Sequence, residues 1–239
     1  MAKKLCLVFA LFACLLFLAS GAYAQPVCIG LQEAGVNGGA ITNEGCVNNS
    51  SGQIIFSGPY GVFSPTVVAD VVPYPGLSEP DIQSNTIDGT STGAGTIKIY
   101  VTAENENFGT GVFDIQSSFT SNVLPTGWTV MEQTYVDPGP GGYPNCPPTA
   151  FPCPVPFLTT DLLSQYTFTS IGTQVLDHNT PNLPTIAWTE TEVYTITATG
   201  AGSTNDTIDT AMVPEPASIA LFGSGLLGLA GFARRRFLK

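Results

Sequence analysis

One histidine, His178, is the entire imidazole supply of this 239-residue chain. It stands in Asp177-His178-Asn179, ahead of Pro181 and Pro184, and turn chemistry accounts for the Asp and the Asn, so a turn is expected there. A serine nucleophile would need His178 paired with a strained elbow, and no Gly-x-Ser-x-Gly occurs. No phosphate-cradling or dinucleotide-type glycine pattern follows a strand. What the inventory does allow is paired-carboxylate chemistry, which in a glycosidase takes two acids about 5–10 Å apart in a cleft. Glu104-Asn105-Glu106-Asn107 and Asn205-Asp206-Thr207-Ile208-Asp209 offer oxygen ligands for Ca²⁺, but neither has the spacing of a calcium loop. The expectation is a chain with no catalytic residues, no metal and no cofactor, which is not an enzyme.

Six cysteines are present, two of them, Cys6 and Cys14, in an apolar N-terminal run. The other four, Cys28, Cys46, Cys146 and Cys153, favour two disulfides if the chain is exported, and four cysteines permit three pairings. Proximity favours Cys28–Cys46 and Cys146–Cys153. Zinc is disfavoured by spacing and by the distance of His178 from all four.

Those residues must be held by strands. Residues 53–56, 66–72, 96–103, 111–120, 127–136, 162–170, 186–198 and 207–213 are short β-branched or aromatic runs broken by Gly, Pro, Asn and Ser. In 96–103, Ile97, Ile99 and Val101 alternate with Thr96, Lys98 and Tyr100, which buries one face. Ile186, Trp188, Tyr194 and Ile196 share a parity, and Trp128 is in phase with Val130, so both tryptophans read as core. Residues 25–52, rich in Gly and Asn, are expected to form an irregular entry. Residues 137–156 hold eight prolines and three glycines and cannot join a ladder. The expected fold is mainly β: one antiparallel β-sandwich of Ig-like architecture, flanked by an N-terminal signal-peptide helix and a C-terminal transmembrane helix.

The flanks carry the localisation. Lys3 and Lys4, the apolar run 5–19 and Ala22-Tyr23-Ala24 before Gln25 form a secretory signal with its cleavage site, so 1–24 is expected to be removed. At the other end stand Val213-Pro214-Glu215-Pro216, an uncharged run over 217–233, and Arg234-Arg235-Arg236 as a stop-transfer cluster. The two prolines hold the chain extended. The run has 233 − 217 + 1 = 17 residues, about 26 Å as a helix, the short end of a membrane span. The arginines belong on the cytoplasmic side.

This three-part tail resembles the PEP-CTERM anchor, the C-terminal signal read in many Gram-negative bacteria by the membrane transpeptidases called exosortases. The resemblance implies removal of the tail near Pro214-Glu215-Pro216, with exosortase as partner and the membrane as a temporary anchor. The product would then reach the cell surface or an extracellular polysaccharide, biofilm-type matrix. Residues 119–130 and 191–197, with Gly200-Ala201-Gly202 beyond, resemble segments of uncharacterised exported proteins that carry this tag. That likeness implies a sandwich and transfers no active site.

The division implied is a signal peptide (1–24), an exported ectodomain (25–212) and a sorting segment (213–239). Residues 25–213 carry one Lys and 17 acids, so 1 − 17 = −16. Nucleic acid is excluded as a partner, because nothing neutralises phosphate. A structural or adhesive role is favoured. The alternative is a carbohydrate-binding module using Tyr143, Trp128 or Trp188, and a carboxylate-pair glycosidase stands behind that.

Overall fold

The computed structural model describes residues 27–47, 53–73, 80–106, 111–137, 157–183 and 188–212, and the single position 225. They form β1 (Val27–Glu33), β2 (Thr42–Val47), β3 (Gln53–Ser57), β4 (Phe63–Pro73), β5 (Pro80–Ser91) and β6 (Ala94–Glu106). There follow β7 (Asp114–Val123), β8 (Thr129–Asp137), β9 (Asp161–Phe168), β10 (Gly172–Asn179), β11 (Trp188–Thr199) and β12 (Gly202–Met212). One sheet runs β2-β1-β6-β11-β8-β9 and the other β10-β7-β12-β5-β4-β3, every pairing antiparallel. The expected two-sheet sandwich is the fold.

Alternation sets which side chains meet inside. In the first sheet the register lines up four inward rows: Ile97–Ile196–Val130–Phe168, Leu31–Ile99–Tyr194–Glu132–Tyr166, Ile29–Val101–Glu192–Thr134–Ser164, and Val27–Ala103–Glu190–Val136. Facing them, Phe63, Val67, Ala69 and Ile87 fill one half of the second sheet's inner side. Ser117, Phe119, Ser121, Asp206, Ile208 and Thr210 fill the other half, all of them buried. The β1–β6–β4–β5 half is apolar apart from Glu33 at its turn end. The β8–β11–β7–β12 half alternates apolar and polar.

Two glycines are dictated by their surroundings. Tyr60 and Phe63 exchange backbone hydrogen bonds of 2.8 and 3.0 Å around Gly61-Val62, and Gly61 takes φ +63°, the left-handed first position of a II′-type hairpin. Glu33 closes this turn from the other sheet, its Oε1 accepting the Val62 N–H at 3.2 Å. Gly30, on the outer side of β1, lies under the Phe157 ring, where an added Cβ would come within 2.6 Å. Phe157, the first described residue after the proline-rich stretch, packs there with Cys28, Tyr100 and Val193.

Two local expectations are corrected. The irregular entry contains β1 and β2. Val27, Ile29 and Leu31 earn β1 a place between β2 and β6, while the Gly and Asn content belongs to the connecting turn and to an edge bulge near Gly45. His178 lies in β10 rather than in a turn, exposed and paired with Ile115. An edge strand tolerates such residues because only one side of its backbone joins the ladder. Two further strands, β5 and β10, carry no clean alternation of apolar residues.

Candidate functional site

Inside the polar half, four acidic side chains are withdrawn from solvent: Glu132 and Glu192 are 0 % exposed, Asp206 0 % and Glu190 3 %. Glu132 comes from β8, Glu190 and Glu192 from β11, and Asp206 from β12, so the cluster spans both sheets. Each sits on the inward parity of its strand. Glu132 follows Val130, and Glu192 precedes Tyr194 and Ile196, at the same spacing of two that buries those neighbours.

Cross-sheet hydrogen bonds surround them. Thr210 Oγ1 donates to Glu192 Oε1 at 3.1 Å, and Ser117 and Thr134 share a hydroxyl hydrogen bond of 2.9 Å. The Ile208 backbone N–H donates to the Tyr194 hydroxyl at 2.6 Å. Thr204 Oγ1 donates to Asp206 Oδ2 at 2.7 Å. Glu192 Oε2 has no hydrogen-bond partner among the described residues.

Among the described residues no cation balances Glu132, Glu192 or Asp206. The only Lys or Arg among the described residues is Lys98, which is exposed. Loss of solvent therefore dominates their protonation. Burial, with Asp206 and Asp209 nearby, pushes the Glu132 carboxyl up to about 10, against a lowering pull from the Thr120 backbone. Glu192 is raised well above its ordinary value by burial first and then by Glu190, Asp209 and Glu132, while the Thr210 hydrogen bond pulls the other way. Asp206 rises to about 6, mainly by burial and less by Asp88, with the Ser121 and Thr204 hydroxyls opposing. Burial without a nearby positive charge thus favours the protonated form of Glu132 and Glu192.

What the cluster can do chemically is store protons. A neutral, desolvated carboxyl is neither a nucleophile nor a base, and no substrate reaches a side chain at 0 % exposure. Among the described residues no group of three or more His, Cys, Asp or Glu is placed to hold a metal ion. In the Asn205–Asp209 run the reason is visible: Asp206 points inward and Asn205 outward, where its amide donates to Asp88 at 2.8 Å. Alternation separates what a cation would need converged.

Of the residues singled out from sequence, Cys28 and Cys46 are joined by a disulfide that ties β1 to β2, with Cα atoms 4.0 Å apart. Trp128 is core at 2 % exposure. The signal cleavage residues Ala22, Ala24 and Gln25, Cys146 and Cys153, Tyr143, Val213 to Pro216, the 217–233 run and Arg234 to Arg236 lie outside the described residues, as does the side chain of Trp188. Among the described residues no helix is long and apolar enough to cross a membrane. Of the four buried acids, inventory singled out only Asp206, and that as a candidate calcium ligand. Their signal was present, an acid on the core parity of a strand.

Comparison with known proteins places the tail. Residues 213–236 match the PEP-CTERM protein-sorting motif, so the chain carries the C-terminal sorting signal of an exported protein. No curated protein matches the sequence. Among solved structures, TmCBM61 in complex with beta-1,4-galactotriose aligns with 66 % of this chain and 92 % of its own, at 10 % identity and TM-score 0.31. Broad Bean Stain Virus aligns over 82 % and 88 %, at 8 % identity and TM-score 0.27. A glycoside hydrolase family 43 arabinoxylan arabinofuranohydrolase from Bacillus subtilis aligns over 76 % of this chain and 30 % of its own, at 11 % identity and TM-score 0.27. At these scores none of the three bears on activity.

Proposed function

We propose that this chain, bearing a PEP-CTERM sorting motif, is an exosortase substrate whose β-sandwich serves a structural or adhesive role at the surface of a Gram-negative bacterium. On this reading the signal peptide is removed at Gln25, and 217–233 anchors the protein until the tail is cut near Pro214-Glu215-Pro216. The exported sandwich then joins the surface or an extracellular polysaccharide matrix. It is not an enzyme, and it needs no cofactor.

The observation that carries the reading is the position of the motif relative to the fold. β12 ends at Met212 and the motif begins at residue 213. The sandwich is complete one residue before the tag, so cleavage removes no strand from either sheet. Pro214 and Pro216, by their fixed φ, would favour the extended backbone that a protease needs. The carbohydrate-module alternative has less behind it, since Trp128 is core and Tyr166 is the one strongly exposed aromatic among the described residues.

The test is mass spectrometry of the mature C-terminus in cells with and without the sorting protease. A product ending near residue 213 only where the protease is present supports the reading. Lys239 still attached in both strains would make the tail a plain anchor. Replacing Pro214 and Pro216 by Ala is expected to leave export intact and trap the protein with its tail.

A further inference from the structure

We propose that the interior carboxyl groups of Glu132, Glu192 and Asp206 form a proton-dependent latch holding β12, the strand that runs into the sorting motif, against the opposite sheet. When the protons leave, the C-terminal half of β12 comes free.

The geometry is that of a fastening. β12 hydrogen-bonds to β5 and β7 within its own sheet, and two hydrogen bonds tie it to the other one, Thr210 on Glu192 and the Ile208 amide on Tyr194, with Asp206 buried close to Glu132. Beyond Asp206 its pairing with β5 survives only at Ile208 and Asp209, while pairing with β7 continues to Met212. The last residues therefore depend on one ladder and on the seam. Thr210 stands three positions before Val213, so whatever loosens Thr210 lengthens the unpaired chain leading to the motif.

The groups facing each carboxyl are all acidic or neutral. Glu132 meets Asp206 and Asp209 of β12 and the Thr120 backbone of β7, with Tyr194 and Tyr166 beside it in register. Glu192 meets Glu190 on its own strand, Thr210 and Asp209 of β12, and Glu132 and Thr134 of β8, with Val101 of β6 beside it. Asp206 meets Ser121 of β7, Thr204 of its own strand and Asp88 of β5. Asp209 is itself raised by burial. An ionised carboxylate here finds like charge and no counter-ion, and it is relieved only by admitting water between the sheets.

At the β1–β6 end of these rows the Ile29–Val101 and Leu31–Ile99 pairs carry no ionisable group, and Glu33, the buried acid of that half, lies at the Gly61-Val62 turn. The latch stands whether or not the tail is cleaved; only its bearing on processing rests on the proposed function.

Amide hydrogen exchange on the full chain in detergent, expressed as protection factors at pH 5 and pH 9, reads the latch directly. Protection over 207–212 and 190–194 is expected to fall at least about tenfold relative to the β1 and β6 amides, the effect of a single unit of coupled titration. Glu132→Gln and Glu192→Gln are each expected to shrink that difference. An equal loss in both halves, no loss, or an unchanged loss in the variants overturns the proposal. Should a variant fail to fold, infrared spectroscopy of wild-type protein with isotope-labelled glutamate decides. A protonated-carboxyl band persisting at pH 7 supports the latch, and its absence overturns it. Comparing tail removal in the Gln variants and wild type at alkaline pH then separates the two ideas. Intact exchange behaviour with no cleavage anywhere sinks the sorting reading alone.

Discussion

The two halves of the sandwich interior share strand spacing and depth, yet differ in what holds them. Rows through β1 and β6 are built on Ile, Leu, Val and Ala, with one buried acid, Glu33, at the turn end beside Ile97, so burial of apolar area is their main contribution. The same rows, followed two strands further to β11 and β8, end in Glu192, Thr134 and Glu132. There hydroxyl hydrogen bonds join the sheets around buried carboxyls, and ionising those carboxyls costs their desolvation with no nearby positive charge to offset it. Depth alone therefore does not make a core inert. The proposed latch makes the second half the more pH-dependent of the two.

The bluntest way to break the contrast is to empty the apolar half. Phe63→Ala removes a ring that is 1 % exposed and is expected to cost about 3–5 kcal/mol, equally at pH 5 and pH 8, by chemical denaturation. A deficit that changed with pH would mean the halves are coupled.

The second effect belongs to Asp206. Its folded value of about 6 against 3.8 is a difference of 2.2 units, worth about 3 kcal/mol at about 1.36 per unit. Because the folded value is raised, stability is greatest below about pH 4, where both states are protonated. It falls as the unfolded chain ionises first, and this share is spent once pH passes through about 6. Asp206→Asn is expected to make that stretch of the stability–pH curve shallower, leaving the decline that Glu132 and Glu192 contribute from about pH 4.5 upward. A wild-type curve that rises between pH 4 and 7 would contradict the assignment.

A smaller perturbation tests the outer cover of the apolar half. Gly30→Ala drives a methyl into the Phe157 ring and is expected to destabilise by about 1–3 kcal/mol, together with loss of the Phe157 contact, seen as faster proteolysis after β8. Unchanged thermal unfolding would show that Phe157 is not seated there. Smallest is Thr210→Val, which deletes one cross-sheet hydrogen bond for about 1 kcal/mol at pH 5. Since that bond lowers the Glu192 carboxyl, the variant is also expected to lose stability more steeply on the alkaline side.

Much of the architecture was legible. Ile97, Ile99 and Val101 announce an inward face because a strand's side-chain period is two, and the structure buries all three. Cys28 and Cys46 pair across neighbouring strands, as their proximity suggested. β5 and β10 were not legible. Polar runs such as 80–86 and 172–174 pair through their backbones, and a backbone ladder leaves no hydrophobic signature. The seam was half legible: its acids occupy core parity, but inventory counts them as surface charge.

What the sequence determined by itself was periodicity and punctuation. Most of the strands, the sandwich class, and a tail whose proline triplet, apolar run and arginines are local features could be read along one chain. Only the tertiary structure decided that Glu132, Glu192 and Asp206, 74 residues apart at the extremes, meet in one buried region with no cation among the described residues. Their protonation follows from that meeting, because a carboxyl's affinity for its proton is set by the solvent and charges around it, and those come from other strands.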